Sequence, residues 1–279
     1  MPETLKTELA PTFTFSQSSL QDYFDCQRRF QLRYIENLAW PAVESEPVME
    51  NERRQQEGQL FHRMVQQHLV GLPVEKLSRL ASSPDLSRWW ENYLGYNLNI
   101  DGYAQSPELI LSAPVDSHRL LAKYDLVAIL PGQKALIYDW KTSQKRPKDE
   151  WMAARMQTRV YRAMLIQAGA YLNNGAPIQP EQIEMVYWYA DFPSEPVRLP
   201  YTASQYQRDW SALTGLIRAI SSQRDFPLTD EEKKCAYCPY RSYCNRGEKA
   251  GSLDESESDP ETSTTEFNLN FEQIAEIEF

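Results

Sequence analysis

Apolar positions recur at helical spacing over residues 16–34, where Leu20, Tyr23, Phe24, Phe30 and Tyr34 share one side and Ser18 or Ser19 can cap the start. A second helix is predicted over about 50–69 from Leu60, Phe61, Met64, Val65 and Leu69, and it carries His62 and His68. A third is predicted over 86–96 with Trp89, Trp90 and Tyr93. The pattern then changes. Residues 109–115, 120–130 and 135–140 are rich in Leu, Ile and Val, with a Pro131-Gly132 turn between the last two, and are expected to be adjacent strands of one sheet. Helical period returns over 150–170 through Met152, Met156, Val160, Met164 and Leu165. Residues 183–189 give a fourth strand and 203–222 a further helix. Strand, helix, strand predicts an α/β core behind a largely helical N-terminal part.

Composition permits such a core: of 279 residues, 42% are hydrophobic and 12% aromatic. No long apolar run is present and the mean hydropathy is -0.60, which argues against membrane spans. The first fourteen residues lack the apolar centre of a signal peptide, so a cytoplasmic, reducing location is expected.

The net charge of -10 counts against a nucleic-acid partner only until its distribution is read. Nine acids and no Lys or Arg lie in residues 251–279, so the remainder is nearly neutral. It can therefore carry a basic groove, with Arg28, Arg29 and Arg33, then Lys145, Arg146 and Lys148, then Arg155, Arg159 and Arg162 as candidates; each set equally suits a solvated helix face. From residue 247 the composition is that of an acidic, disordered tail, although Phe267, Leu269, Phe271, Ile274, Ile277 and Phe279 could fold on a partner.

Four cysteines are present: Cys26 alone near the start, and Cys235, Cys238 and Cys244 in a C-x2-C-x5-C run. This is the arithmetic of one four-thiolate centre joining both ends of the fold. An iron–sulfur cluster suits the irregular spacing better than structural zinc, which more often shows two C-x2-C knuckles; zinc and four unrelated thiols are the alternatives.

Asp125 falls on one predicted strand and Asp139-Trp140-Lys141 ends the next, so two carboxylates and an ammonium group can share a cleft. Hard cations such as Mg2+ take carboxylate and carbonyl oxygens, and the Trp140 carbonyl could be a third ligand. Lys141 could orient a water and counter charge on a phosphate. His62 adds an imidazole that suits Mn2+ as well, although a lone helix histidine is more often packed or solvated. Gln157 and Tyr161, four apart on one helix face, can point to the same cleft or be ordinary helix residues.

In order and spacing these elements resemble the PD-(D/E)XK nuclease superfamily, in its RecB-like branch with a four-cysteine cluster. Ser16 to Leu20, Cys26 to Phe30 and Tyr34 resemble the opening helix with the first cluster cysteine. Gly58 to His62 resembles the metal-binding histidine helix, Asp125 the first acid, and Asp139-Trp140-Lys141 the D/E-x-K strand. Gln157 and Tyr161 resemble the Q-x3-Y helix, and Cys235, Cys238 and Cys244 the closing cluster ligands. One departure is Ala122, where a glycine often stands three residues before the first acid.

The resemblance implies a restriction-endonuclease-like core, a central mixed sheet flanked by helices, with a C-terminal cluster-binding segment. The domains expected are an N-terminal extension at 1–15, the nuclease with its cluster at 16–246 and the acidic tail at 247–279. It implies hydrolysis of DNA phosphodiesters with Mg2+ or Mn2+ held by His62, Asp125, Asp139 and Trp140, and chemistry by Asp125, Asp139, Lys141, Gln157 and Tyr161. Cys26, Cys235, Cys238 and Cys244 would hold a 4Fe-4S cluster. Relatives in this branch include AddB-type recombination enzymes and CRISPR spacer-acquisition nucleases, which implies DNA ends or single strands as substrate and a recombination, helicase or CRISPR protein as partner. The competing expectation is a non-catalytic DNA-binding or assembly module of the same fold.

Overall fold

The computed structural model describes residues 8–39, 46–236 and 238–247, with the side chains of 46–52 left aside. The expected acidic tail falls outside the described residues, Gly247 excepted. A five-stranded sheet of order β2-β5-β6-β7-β8 forms the centre: β2 Ala104–Pro107, β5 Leu126–Leu130, β6 Lys134–Lys141, β7 Ile183–Tyr189 and β8 Phe192–Pro200. Within this sheet β6 and β7 pair in parallel, and the other described neighbours are antiparallel. This is the expected α/β architecture of mixed sheets flanked by helices. The parallel step requires a crossover, which α6 (Asp149–Ala154) and α7 (Met156–Ala168) supply.

Period-two alternation along β6 sorts its side chains. Ala135 and Ile137 enter one apolar core with Met152, Val160, Tyr161 and Met164 of the crossover and Leu213, Ile217 and Ile220 of α8 (Ala203–Ser222). Leu136, Tyr138 and Trp140 enter a second core on the opposite face. Phe61, Met64 and Val65 of α3 (Glu46–Leu69) and Leu86, Trp89, Trp90 and Tyr93 of α5 (Pro84–Gly95) complete it. Asp139 and Lys141 share the parity of Ile137, so both project toward α7.

Three strands form a separate sheet of order β1-β4-β3: β1 Thr14–Ser16, β4 His118–Lys123 and β3 Ile110–Val115. The expectation of one continuous strand over 120–130, in one sheet with 109–115 and 135–140, is therefore corrected. The segment is two strands that leave one sheet for the other at Tyr124-Asp125. The cause is a bend in a single antiparallel ribbon. Glu108 takes a left-handed φ of 54°, its N–H donates to the carbonyl of Asp125 at 2.9 Å, and the N–H of Tyr124 donates to that of Leu109 at 2.8 Å. Asp125 thus stands at the corner rather than within a strand, and such irregularities re-aim side chains. Ala122, at the glycine position, is buried on β4 opposite Leu111 without interrupting the ladder.

The predicted helix over 16–34 is also broken. Ser16, not Ser18 or Ser19, caps α1 (Gln17–Asp25), and Ser19 completes a reciprocal capping box. Cys26 is extended, with φ -159° and ψ 112°, before α2 (Gln27–Phe30) and a wider turn over Gln31–Ile35. Thr14 starts β1, Phe15 is fully buried, and Leu9 and Phe13 pack against the same core. The predicted helix over 150–170 breaks at Arg155, which is extended at ψ 146° between α6 and α7. A short α4 (Val74–Leu77) joins α3 to the α5 region.

Candidate active site and cysteine centre

Asp125 receives two donors from different elements. Its Oδ2 accepts the backbone N–H of Trp140 at 2.8 Å, and its Oδ1 lies 3.3 Å from Nδ1 of His62. Burial works to raise the Asp125 pKa, but His62, the Trp140 N–H and Lys141 outweigh it and hold the carboxyl below its ordinary range. The ionised form is favoured.

His62 reaches Asp125 because α3 lies very close to the end of β6. A Cβ on Gly58, one turn before His62, would stand 2.8 Å from Oγ1 of Thr142. Glycine is favoured there by proximity, not by backbone conformation, since a Cβ would make Thr142 shift.

Asp139 and Lys141, two apart on β6, face the start of α7. Nζ of Lys141 lies 2.9 Å from Oδ2 of Asp139 and donates to Oε1 of Gln157 at 3.3 Å. The amide of Gln157 donates to Oδ1 of Asp139 at 2.7 Å. Acid, ammonium and amide form a closed triangle of buried groups. Gln157 can occupy its corner because Arg155 is extended and restarts the helix just before it. Tyr161 lies one turn on, bonded to Gln157; burial and then the charges of Asp139 and Asp125 push its pKa well above the usual phenol value. Tyr124 fixes that turn, its hydroxyl donating to the Tyr161 carbonyl at 2.9 Å.

His62, Asp125, the Trp140 backbone, Asp139, Lys141, Gln157 and Tyr161 are thus brought together around the C-terminal end of β6, the middle strand of the central sheet. The Trp140 indole turns away into the second core. As they stand, the two acids are held by separate partners. Among the described residues, no three His, Cys, Asp or Glu side chains gather closely enough to form a ready-made metal cage.

The cysteines form no disulfide. Cys238 packs with Leu32 and Tyr240, with Cys244 alongside, and the Tyr240 hydroxyl donates to the carbonyl of Leu38 at 2.9 Å, so the C-terminal run lies against the N-terminal helical segment. Burial pushes the Cys238 thiol up to about 12 and raises those of Cys235 and Cys244, and each of the three also feels Cys26 as a like charge. Arg29 acts in the opposite sense on Cys235 and Cys238, and Arg28 on Cys244.

A family model described as the PD-(D/E)XK nuclease superfamily matches residues 14–245. The chain belongs to this superfamily. No curated protein matches it. Among solved structures, it is similar to a candidate exonuclease from Eubacterium rectale, at 9% identity and a TM-score of 0.49, over 78% of this chain and 85% of that one. It is also similar to the protein SSO0001, at 12% identity and a TM-score of 0.37, over 83% and 85%. Neither likeness is strong enough to carry an argument about the site.

Two features of this PD-(D/E)XK chain escaped the sequence reading. Tyr187 on β7 pairs in register with Asp139 and is fully buried beside it, and Thr158 follows Gln157 on α7. Odd-numbered parity along 183–189 was the signal that could have found Tyr187. The basic candidates for a groove are largely engaged within the protein. Arg29 and Arg33 bond Asp22 at 2.8 and 3.1 Å, Arg146 bonds Asp149 at 2.8 Å, and Arg159 and Arg162 lie 2.9 and 3.5 Å from Asp209. Lys145 and Lys148 are exposed. No described helix is long and apolar enough to cross a membrane.

Proposed function

We propose that this superfamily member is a metal-dependent deoxyribonuclease that hydrolyses phosphodiester bonds, acting as an exonuclease on ends or single strands. The observation that carries the reading is the convergence at the C-terminal end of β6 of the Asp125–His62 pair and the Asp139–Lys141–Gln157 triangle. The donor set fits a hard divalent cation: two carboxylates, one favoured in its charged form despite burial, with an imidazole beside it. Asp125, Asp139 and His62, with the Trp140 carbonyl, would hold Mg2+ or Mn2+. When bound, such an ion polarises the scissile phosphate.

The protein's own groups do the rest. Lys141 carries a fixed positive charge whose direction is set by Asp139 and Gln157, placed to orient water and offset charge growing on phosphate oxygens. Gln157 fixes Asp139 so that its carboxylate does not rotate freely, and Tyr161 holds Gln157. The low exposure of Asp139 and Lys141 strengthens these electrostatic interactions.

A 4Fe-4S cluster on Cys26, Cys235, Cys238 and Cys244 belongs to the same reading. Four unbridged thiols drawn from both ends of the domain, with Arg28 and Arg29 near them, supply the donors such a cluster takes; burial favours their protonated forms, so loading must drive the proton loss. The cluster would staple the two ends of a domain spanning 16–246. A cytoplasmic location, and a recombination, helicase or CRISPR protein as partner of the tail, complete the proposal.

The test is an anaerobic assay on end-labelled single- and double-stranded DNA with and without Mn2+. Cleavage that Mn2+ supports, that chelation stops and that Asp139→Ala abolishes in a folded protein is the expected result. DNA binding with no cleavage in any metal would favour an assembly module instead.

A further inference from the structure

Resting on the nuclease reading, we propose that Tyr187 is a positioning residue: its ring holds the Lys141 ammonium, and its hydroxyl, through Thr158, ties that ammonium to the joint between α6 and α7. The Lys141 Nζ stands 5.7 Å from the centroid of the Tyr187 ring, within the range of a cation–π contact that burial strengthens. The Tyr187 hydroxyl lies 2.7 Å from Oγ1 of Thr158, which donates to the Met152 carbonyl at 2.5 Å. Tyr187, Thr158 and Met152 are all fully buried.

Four elements are closed into one ring by these contacts. β6 supplies Lys141, β7 supplies Tyr187, α7 supplies Thr158 and Gln157, and α6 supplies the Met152 carbonyl. The α6–α7 joint matters because Arg155 is extended there and Gln157 follows two residues later. An unbraced joint would let Gln157 shift, and Lys141 would lose both its amide partner and its aromatic face. Small displacements of this kind lower turnover more than binding.

Two measurements test the proposal. In protein labelled at lysine, the ε-methylene signal of Lys141, assigned by its loss in Lys141→Met, is expected upfield through the ring current. It should stay there in Tyr187→Phe and return toward the ordinary position in Tyr187→Leu. In the cleavage assay, Tyr187→Phe and Thr158→Val should each lower kcat about tenfold with KM unchanged, and the double variant should be no worse than either, because both cut the same bridge. Tyr187→Leu should lose more.

An unshifted Lys141 signal, or one that Tyr187→Leu leaves in place, overturns the proposal. So do losses that multiply in the double variant, and losses confined to KM or to the folded fraction. A wild-type protein that cleaves nothing overturns the nuclease reading and the kinetic role with it, and the lysine spectrum then decides the contact alone.

Discussion

The backbone N–H of Trp140 donates to the carboxylate of Asp125 at 2.8 Å, joining the corner of the bent ribbon to the end of β6. That bond sets where Asp125 can point, and His62 approaches its other oxygen. Asp125→Asn can keep a carbonyl acceptor for Trp140 while losing the charge. It should still fold, with a lower melting temperature because the charge that His62, the Trp140 N–H and Lys141 favour is gone, and bind Mn2+ at least about 100-fold more weakly by calorimetric titration. Unaltered Mn2+ affinity would remove Asp125 from the ligand set.

The approach of α3 to Thr142 makes an opposing pair of effects. Gly58→Ala gains about 1 kcal/mol of helix propensity but sets a methyl 2.8 Å from Oγ1 of Thr142, and overpacking of that kind typically costs about 1–3 kcal/mol. The single variant should be less stable than wild type by urea unfolding. Adding Thr142→Ala should recover the loss, and a double variant no better than the single one would place the strain elsewhere.

Asp22 is 4% exposed and gathers Arg29 at 2.8 Å, Arg33 at 3.1 Å and the Tyr34 hydroxyl at 2.9 Å. Removing its charge leaves Arg33 facing a neutral side chain and Arg29 with the Asp25 carboxylate, 2.8 Å away, in a largely desolvated place. Asp22→Asn should cost about 3 kcal/mol in denaturant unfolding. Tyr34→Phe, which deletes one neutral donor, should cost about 1 kcal/mol.

Cys26 lies between two helical segments that meet the C-terminal cysteine run. If the four thiols hold a cluster, anaerobically purified protein is brown and Cys26→Ser is colourless with a lower melting temperature. A colourless wild type containing one zinc would replace the cluster with a structural zinc site.

Much of this arrangement was legible in the residues. The alternation of 135–141 assigns Leu136, Tyr138 and Trp140 to one face and Asp139 with Lys141 to the other, and strand parity depends on nothing beyond the local chain. The four-residue spacing of Gln157 and Tyr161 was readable for the same reason. The ribbon corner was not, because it rests on Glu108 adopting a positive φ, which nothing about glutamate favours. Nor was the break at Arg155, since Ala153-Ala154-Arg155-Met156 are good helix formers and the interruption is spanned by the Thr158 hydroxyl, which bonds the Met152 carbonyl and the Tyr187 hydroxyl of a distant strand. The edge strand β8 carries Pro193, Pro196 and Pro200, which hide a strand from propensity yet suit an edge. The arginines left groove and solvated face equally open because charge alone does not say whether an acid such as Asp22 or Asp209 stands beside them.

The parity of β6 couples two properties that proteins often keep apart. Inserting or deleting one residue ahead of Asp139 would turn an acid into the aromatic interior and an indole toward the reacting groups, so an error in this strand ruins solubility and chemistry in the same stroke. Change that spares the fold is thereby steered away from the strand and into the segments beyond its two ends.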